Sequence, residues 1–191
     1  MRVDFYHLQK SSLEQALPML AEKVYATGKR LLIKTELNEK AEYLNTLLWT
    51  YRPDSWLPHG SESDGNETDQ PVLITTRNGN LNQAEMVMLV DGGTVEEIQS
   101  FERCLNLFNG HDETAVQQAR ELWKAVVDAG LEAYYWQQND AGKWEMKASK
   151  VPEEKRPPAD IGINRILFFI VLLTCACAKW PPYCPAKRQQ F

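Results

Sequence analysis

Cysteine is scarce in this chain, and its placement argues against disulfides, metal sites and a reactive thiol. The four cysteines are Cys104, Cys175, Cys177 and Cys184. They are too few and too unevenly spaced for a disulfide framework, and the last three lack the two-residue spacing of zinc ligands. Cys104 lies in an apolar segment with no base near it in sequence, which favours a core residue over a nucleophile. With a charged, strand-like first segment unlike a secretory signal, this pattern predicts a reducing cytoplasm.

Histidine pairs and glycine-rich loops, which mark many metal and nucleotide sites, are also missing. The three histidines fall in separate predicted loops, at His7, His59 and His111, and none shares ligand spacing with another. His59 beside Pro58 is expected to be a polar tip at the surface. The first predicted strand runs into HLQKSS without a glycine, which excludes a phosphate loop or dinucleotide fingerprint there. The sequence therefore predicts no metal ion, no cofactor and no catalytic residue.

Long hydrophobic runs are limited to one segment, ILFFIVLLTCACA at 166–178. It is shorter than the roughly 17 to 25 residues that cross a bilayer, and proline-containing sequence flanks it, so we do not expect the tail to contact a membrane. Near residue 150 the composition changes to VPEEKRPPADIG, which is typical of a linker. We therefore predict one domain over residues 1–150, and a linker with an apolar, cysteine-containing tail of unknown role over residues 151–191.

Positive charge is also limited. The 191 residues carry a net charge of −5, and residues 1–150 hold 15 basic against 23 acidic side chains, about −8. Phosphate backbones repel such a body, so any contact with DNA is expected to be indirect. At 43% hydrophobic and 25% charged residues, the composition suits one globular domain with some sequence left over.

What the sequence does contain is an alternation of predicted strands and helices. RVDFY predicts a first strand, and Ser11 with Glu14 predicts a capping box that begins a helix ended by Gly28. RLLIK and a helix from Asn38 repeat the pattern, and PVLIT, EMVMLV and FERCLNLF predict three further strands. A helix over 112–129 and a hairpin of AYYWQQ and KWEMKA complete the domain, whereas GSESDGNETD is interpreted as a solvated loop. This order predicts an α/β fold with a mostly parallel sheet.

Two surfaces are candidates for binding. On the helix over 112–129, helical spacing directs one stripe to the core and leaves three apolar residues at its margin: Val116, Trp123 and Val127. Arg120 and Lys124 lie just beyond this margin, and an apolar edge bordered by cations suits an acidic peptide with a hydrophobic C-terminal residue. An ordinary solvated face is the alternative, since acidic residues are also nearby.

The second surface is the aromatic segment LLWTYRPDSWLPHG, residues 47–60. Trp49 ends a predicted helix at the margin of the core, whereas Trp56, Leu57 and Pro58 follow in non-periodic sequence and are expected to be the more exposed half. Tryptophan is enriched at protein interfaces because it gives a large contact area at little entropic cost. Covering the edge of the chain's own sheet is the other role that this pattern allows.

Several segments together resemble the chi subunit of bacterial DNA polymerase III holoenzyme. They are FYHL, TGKRLLI, LLWTYRPDSWLPHG, QPVLIT, SFERCLNLFNG, DETAVQQARELWKAVVDAG and WQQNDAGKWEMKA. These segments occur in the family's order from residue 2 to about residue 148. The LW pair, the tryptophan before LPH, and the AR pair followed by an aromatic residue and lysine are the specific features.

The resemblance implies a Rossmann-like three-layer domain without an active site of its own, an accessory subunit of the clamp-loader complex within a DNA-directed DNA polymerase, in the cytoplasmic replisome. Such subunits pair with psi and bind the acidic C-terminal tail of single-stranded DNA-binding protein. The family's peptide-binding arginine falls on Arg120, beside Trp123 and Lys124, while a second basic position is Val116 here, which implies weaker binding. The partner-facing aromatics fall on Trp49 and Trp56, towards psi or another clamp-loader subunit.

Two questions stay open from the sequence. Residues 151–191 have no counterpart in the family and could be a membrane-associating extension, a partner-binding segment or a frame-disrupted end of the gene. The alternative function is a nucleotide-binding enzyme or switch on a Rossmann-like frame, and the missing phosphate loop and the absence of a nucleophile–base pair count against it.

Overall fold

A computed structural model describes residues 1–152, so all but the first two residues of the predicted tail lie outside the described part. The strands are β1 (Arg2–Leu8), β2 (Leu31–Lys34), β3 (Gly60–Ser61), β4 (Val72–Thr75), β5 (Met86–Leu89), β6 (Arg103–Asn109), β7 (Glu132–Gln138) and β8 (Trp144–Lys150). The helices are α1 (Leu13–Tyr25), α2 (Asn38–Thr50), α3 (Val95–Ile98) and α4 (Glu113–Asp128), with short 3-10 helices at Glu62–Asp64 and Glu67–Asp69. Among residues 1–152, every helix is too short or too polar to span a bilayer.

The strands form one eight-stranded sheet in the order β3-β4-β2-β5-β6-β1-β7-β8. Neighbouring strands from β3 to β7 are parallel, and β8 returns antiparallel to β7 as the predicted hairpin. Strand and helix alternate along the chain, so the predicted α/β class and mostly parallel sheet are confirmed. Strands β4 and β5 are buried along their whole length, as expected of strands covered on both faces.

The sheet lies between two layers of helices. On one face, Leu17 of α1 and Leu44 of α2 share a core with Ile33 and Leu107 from the strands. On the other face, Phe5 of β1 packs against α4. Because successive strand residues point to opposite faces, each strand contributes to both cores. This gives the three-layer arrangement that the resemblance implies.

The start of α1 differs from the prediction by one residue. Ser12, not Ser11, precedes the helix, and the side chain of Gln15 accepts a hydrogen bond from the Ser12 backbone N–H at 3.3 Å. The hydroxyl and backbone N–H of Ser11 instead donate to Oε1 of Gln138 on β7, at 2.8 and 3.1 Å. A contact distant in sequence thus decides which of two adjacent serines caps the helix. Gly28 has the expected left-handed conformation, with φ +76°.

The interpretation of GSESDGNETD as a solvated loop is wrong for its first part. Gly60 and Ser61 form β3 and are buried beside β4. The carboxylate of Glu62 accepts hydrogen bonds from the backbone N–H groups of Thr76 and Arg77, at 2.7 and 3.2 Å. The acidic segment closes the edge of the sheet and holds the chain that leaves β4, which polar composition alone does not reveal.

A carboxylate lies fully buried within β1. Asp4 has no exposed side-chain surface and accepts hydrogen bonds from Arg2 at 2.7 Å, from Arg103 of β6 at 2.6 Å and from the indole N–H of Trp136 on β7 at 2.7 Å. Arg2 also lies over the ring of Tyr134, 4.0 Å from its centroid. A buried charge is costly unless it is paired and fully hydrogen-bonded. These donors meet that requirement and connect three adjacent strands at one point.

We predict that Asp4→Ala lowers the free energy of unfolding by about 3 kcal/mol, the low end for removing one partner of a buried ion pair. The low end applies because the two guanidinium groups left behind are 34% and 31% exposed and can be hydrated. Urea denaturation measures the change, and Glu102→Ala is the matched control. It removes the surface pair with Lys29 and should cost less than about 1 kcal/mol. Equal losses in the two variants would contradict the role of Asp4.

Candidate functional site

Helix α4 presents the apolar margin and the cations that its sequence predicts. Its buried residues are Ala119, Leu122 and Val126. Half-buried side chains line one margin: Val116, Trp123 and Val127. Arg120 and Lys124 are exposed beside them, one helical turn apart. The helix begins where the Asp112 carboxylate accepts hydrogen bonds from the N–H groups of Thr114 and Ala115.

Trp123 fixes this margin to the sheet. Its ring meets the ring of Phe5 on β1 edge to face, with centroids 5.2 Å apart and planes at 61°. Aromatic pairs favour this geometry because the positive ring edge faces the negative ring face. The surface around Arg120 is therefore held by a packed aromatic pair, while the rest of the Trp123 ring stays partly open to solvent.

Arg120 acts electrostatically on two side chains of the sheet. Burial lowers the pKa of His7 on β1, and the positive charge of Arg120 acts in the same direction. Burial raises the pKa of Tyr135 on β7 to about 12, and Arg120 opposes that shift. Near pH 7 both His7 and Tyr135 are therefore neutral. The cationic character of this surface comes from Arg120 and Lys124.

The prediction that His7 lies in a loop is wrong, because His7 lies within β1. Its ring stacks on Phe108 of β6, with centroids 4.9 Å apart, and its Nδ1 hydrogen-bonds the hydroxyl of Tyr135. Gly110 lies so close that a Cβ there would be 2.0 Å from His7 Nε2, so only glycine fits. Sequence reasoning missed that His7 lies beneath the Arg120 surface, by which we mean the margin of α4 that carries Arg120 and Lys124. The available signal was the two-residue spacing of Phe5 and His7, which puts both side chains on the same face of β1.

The second surface lies around two exposed tryptophans. Trp56 is 74% exposed and Trp49 57% exposed, so Trp49 is more open than the predicted position at the core margin. The Trp49 ring lies against the ring of His59, with centroids 4.6 Å apart, and Pro58 is half-buried. Exposed tryptophans on a protein surface are typical of interaction sites. We call this surface, Trp49 with residues 56–58, the tryptophan surface.

Two residues of this segment are more buried than predicted. Leu57 is only 2% exposed and belongs to the core that α1 and α2 share with the sheet, so its expected exposure is wrong. His59 is 6% exposed, and its ring nitrogens lie 2.7 and 3.1 Å from the carbonyl oxygens of Leu57 and Asn45, so it is not a surface tip. The side chains of Leu57 and His59 point into the protein and hold the segment against it, whereas Trp56 points into solvent.

Glu22 of α1 holds the loop before Trp56 in place. Its carboxylate accepts hydrogen bonds from the hydroxyls of Tyr51, at 2.7 Å, and Ser55, and it pairs with Arg52 at 3.3 Å. The hydrogen bond from Ser55, followed by the one from Tyr51, lowers the pKa of Glu22. Because this loop contains no regular secondary structure, these side-chain contacts determine where Trp56 lies.

The described residues offer little for catalysis. Cys104 is completely buried, and burial, with the nearby charge of Asp4, raises the pKa of its thiol far above the physiological range. Such a thiol stays protonated and is a poor nucleophile. Within residues 1–152, no cluster of three histidine, cysteine or acidic side chains could hold a metal ion.

The fold defines a Rossmann-like α/β protein, and the two surfaces are its candidate sites for contacts with other proteins. The sequence model described as DNA polymerase III chi subunit, HolC, matches residues 1–134. The chain therefore belongs to the family of chi subunits of DNA polymerase III, as the resemblance predicted, and its role lies in DNA replication.

Individual members of the family share between 24% and 29% of the aligned residues with this chain. The chain is 29% identical over 103 residues to a Rickettsia prowazekii protein named "Probable DNA polymerase III subunit chi", covering 54% of this chain and 62% of that protein. It is 26% identical over 122 residues to the DNA polymerase III subunit chi of Escherichia coli, covering 63% and 82%. For the Haemophilus influenzae subunit chi the identity is 24% over 126 residues, covering 64% and 87%.

We predict that Glu22 makes the stability of the chain depend on acid pH. Its folded pKa is lowered below the unfolded value near 4.3, so its contribution is present above that pH and is lost as the pH falls through the folded pKa. Urea denaturation at several pH values should find wild type more stable than Glu22→Gln at pH 7. The difference should shrink below about pH 4.3. A difference independent of pH would show that the charge of Glu22 plays no part.

Proposed function

We propose that this chain is a noncatalytic accessory subunit that links the clamp-loader part of DNA polymerase III to single-stranded DNA-binding protein. It does so by binding the acidic C-terminal tail of that protein on the outer margin of α4. The observation that carries the proposal is the position of Arg120 and Lys124 beside the half-buried Trp123. Contact with DNA is then indirect, in keeping with the acidic charge of residues 1–150.

The chemistry of this surface matches such a tail. The guanidinium of Arg120 can hold a terminal carboxylate through two parallel hydrogen bonds. The exposed parts of Trp123, Val116 and Val127 offer apolar area to a terminal aromatic side chain, and Lys124 attracts the acidic residues before it. Because attraction between exposed charges is screened by ions, affinity should fall as salt rises. Val116 supplies apolar area but no charge, so the site holds one cation fewer than some family members.

The tryptophan surface is proposed as the docking site for a second subunit, either psi or another clamp-loader subunit. Trp49 and Trp56 provide exposed aromatic area, and Pro58 stiffens the chain between them and β3. Leu57 was part of the predicted interface, but it is buried in the core and would not contact the second subunit directly. It supports the interface by holding residues 56–58 in place. In this proposal the chain acts in the cytoplasmic replisome as a bridge between two proteins.

The described residues argue against the alternative of an enzyme or switch that binds nucleotide phosphates. The turn after β1 contains no glycine, and the backbone N–H groups that begin α4 are already bonded to Asp112. A phosphate would have to displace that carboxylate from the helix terminus. We assign no catalytic step to this chain.

We predict that Arg120→Ala weakens binding of an acidic peptide ending in phenylalanine by about 1.5 to 3 kcal/mol, the value of a charge-assisted hydrogen bond. Isothermal titration calorimetry at low and moderate salt measures the affinity. The affinity of Arg120→Lys should lie between those of wild type and Arg120→Ala, because lysine keeps the charge but lacks the planar guanidinium. Arg77→Ala is the matched control, since Arg77 pairs with Glu62 and Glu67 beside β4. If Arg120→Ala binds as tightly as wild type, the peptide site is elsewhere.

We predict that Trp56→Ala abolishes or strongly weakens assembly with the second subunit while leaving tail-peptide binding unchanged. Truncation of a central interface tryptophan typically costs about 2 kcal/mol or more. Size-exclusion chromatography with psi and with each clamp-loader subunit measures assembly. Leu37→Ala, which removes a 62% exposed apolar side chain outside the tryptophan surface, should assemble normally. Equal behaviour of the two variants would contradict the docking site.

A further inference from the structure

A cleft of about 710 Å³ lies at the carboxyl ends of the parallel strands, and its lining does not include the Arg120 surface or the tryptophan surface. The ends of β1 and β6, the residues that follow β2 and β5, and the first turns of α1 and α4 form its walls. Chain order reverses here, because β1 leads to β2 on one side and its neighbour β6 leads to β7 on the other. In open α/β sheets, ligands bind in this crevice.

Asn106 lines this cleft without any partner for its side chain. It is 1% exposed, and neither Nδ2 nor Oδ1 has a hydrogen-bond partner among the described residues. Its register neighbours in the sheet are Phe5 on β1 and Leu89 on β5, which cannot supply one. A leucine here would avoid the cost of an unsatisfied buried amide. An unpartnered amide on a residue that lines a cleft points to a ligand with one donor and one acceptor side by side.

The charges of the cleft argue against a phosphorylated ligand. Its acidic side chains outnumber its basic ones: Glu14, Glu36, Asp91 and Asp112 against Lys10 and Lys40. Lys40 is already paired with Asp91, and Asp112 occupies the amino end of α4. An added phosphate would meet net repulsion rather than a cradle of free donors. The ligand that fits is uncharged.

We propose that this cleft binds a nucleobase or nucleoside. The Asn106 amide would hydrogen-bond to an edge of the base that carries one donor and one acceptor. An asparagine amide makes two parallel hydrogen bonds to such an edge. Apolar side chains of the cleft, Leu13 and Val90, can cover the faces of the ring. Tyr43, 51% exposed at the rim, offers an aromatic ring for stacking. The proposal involves binding only, without a chemical step.

The test is a titration of the intact chain with adenosine, guanosine, cytidine and uridine, and with their triphosphates, followed by thermal unfolding and by calorimetry. At least one nucleoside should raise the unfolding temperature and bind more tightly than its triphosphate. Asn106→Leu should weaken that nucleoside roughly 5- to 150-fold, the range for losing a bidentate contact, while raising the unfolding temperature of the unliganded chain. Gln117→Leu, a matched amide exchange on the exposed face of α4, should change neither.

A second variant keeps the test decisive if Asn106→Leu does not fold. Gln118→Trp adds bulk at the rim of the cleft from an exposed position on α4 and leaves Asn106 in place, so it should block nucleoside binding. The proposal is overturned if no nucleoside stabilises the chain, if triphosphates bind better, or if stabilisation persists in both variants. If no nucleoside stabilises the chain, the partner of the Asn106 amide is a structural water and not a ligand. Binding of the acidic tail peptide is independent of these results, since neither variant touches Arg120.

Discussion

The buried carboxylate of Asp4 is the interaction on which the rest of the structure depends. Strand β1 is hydrogen-bonded on both sides, so a charge within it must find its partners from the neighbouring strands. Arg103 and Trp136 supply them from β6 and β7, which fixes all three strands at one level. A slip of one residue would turn Asp4 to the opposite face and leave the charge unpaired. This constraint sets the register of the strands on which α4 packs, and so the position of Phe5 against Trp123.

The two proposed protein-binding surfaces are held by different means. The α4 surface rests on a regular helix and on the packing of Trp123 against Phe5, both parts of the folded core. The tryptophan surface rests on a loop without regular structure, which the Glu22 carboxylate and the buried Leu57 hold in place. Local stability follows the number of buried contacts. The α4 surface is thus preformed, whereas the tryptophan surface depends on a few side-chain contacts that respond to acid.

Local sequence predicted the elements of the fold and the apolar margin of α4, because helical and strand periodicities are properties of a short stretch of chain. It failed where a distant segment decided the outcome. Gln138 takes the hydrogen bonds of Ser11, so the helix cap moves to Ser12. His59 and Leu57 lie in polar or non-periodic sequence, but the underside of the loop faces the core. No local pattern contains that information.

By itself the sequence determined the α/β class, the order of strands and helices along the chain apart from β3, the cations at the margin of α4 and, through its quoted segments, the chi family. Tertiary structure alone decided which side chains surround those cations, which part of the aromatic segment is buried, and that Asn106 lines a cleft while its amide lies unpartnered between apolar neighbours. The physical reason is that burial and hydrogen-bond partners are set by packing between strands far apart in the chain. Periodicity indicates on which face of a helix or strand a residue lies, and packing determines which side chains it contacts there.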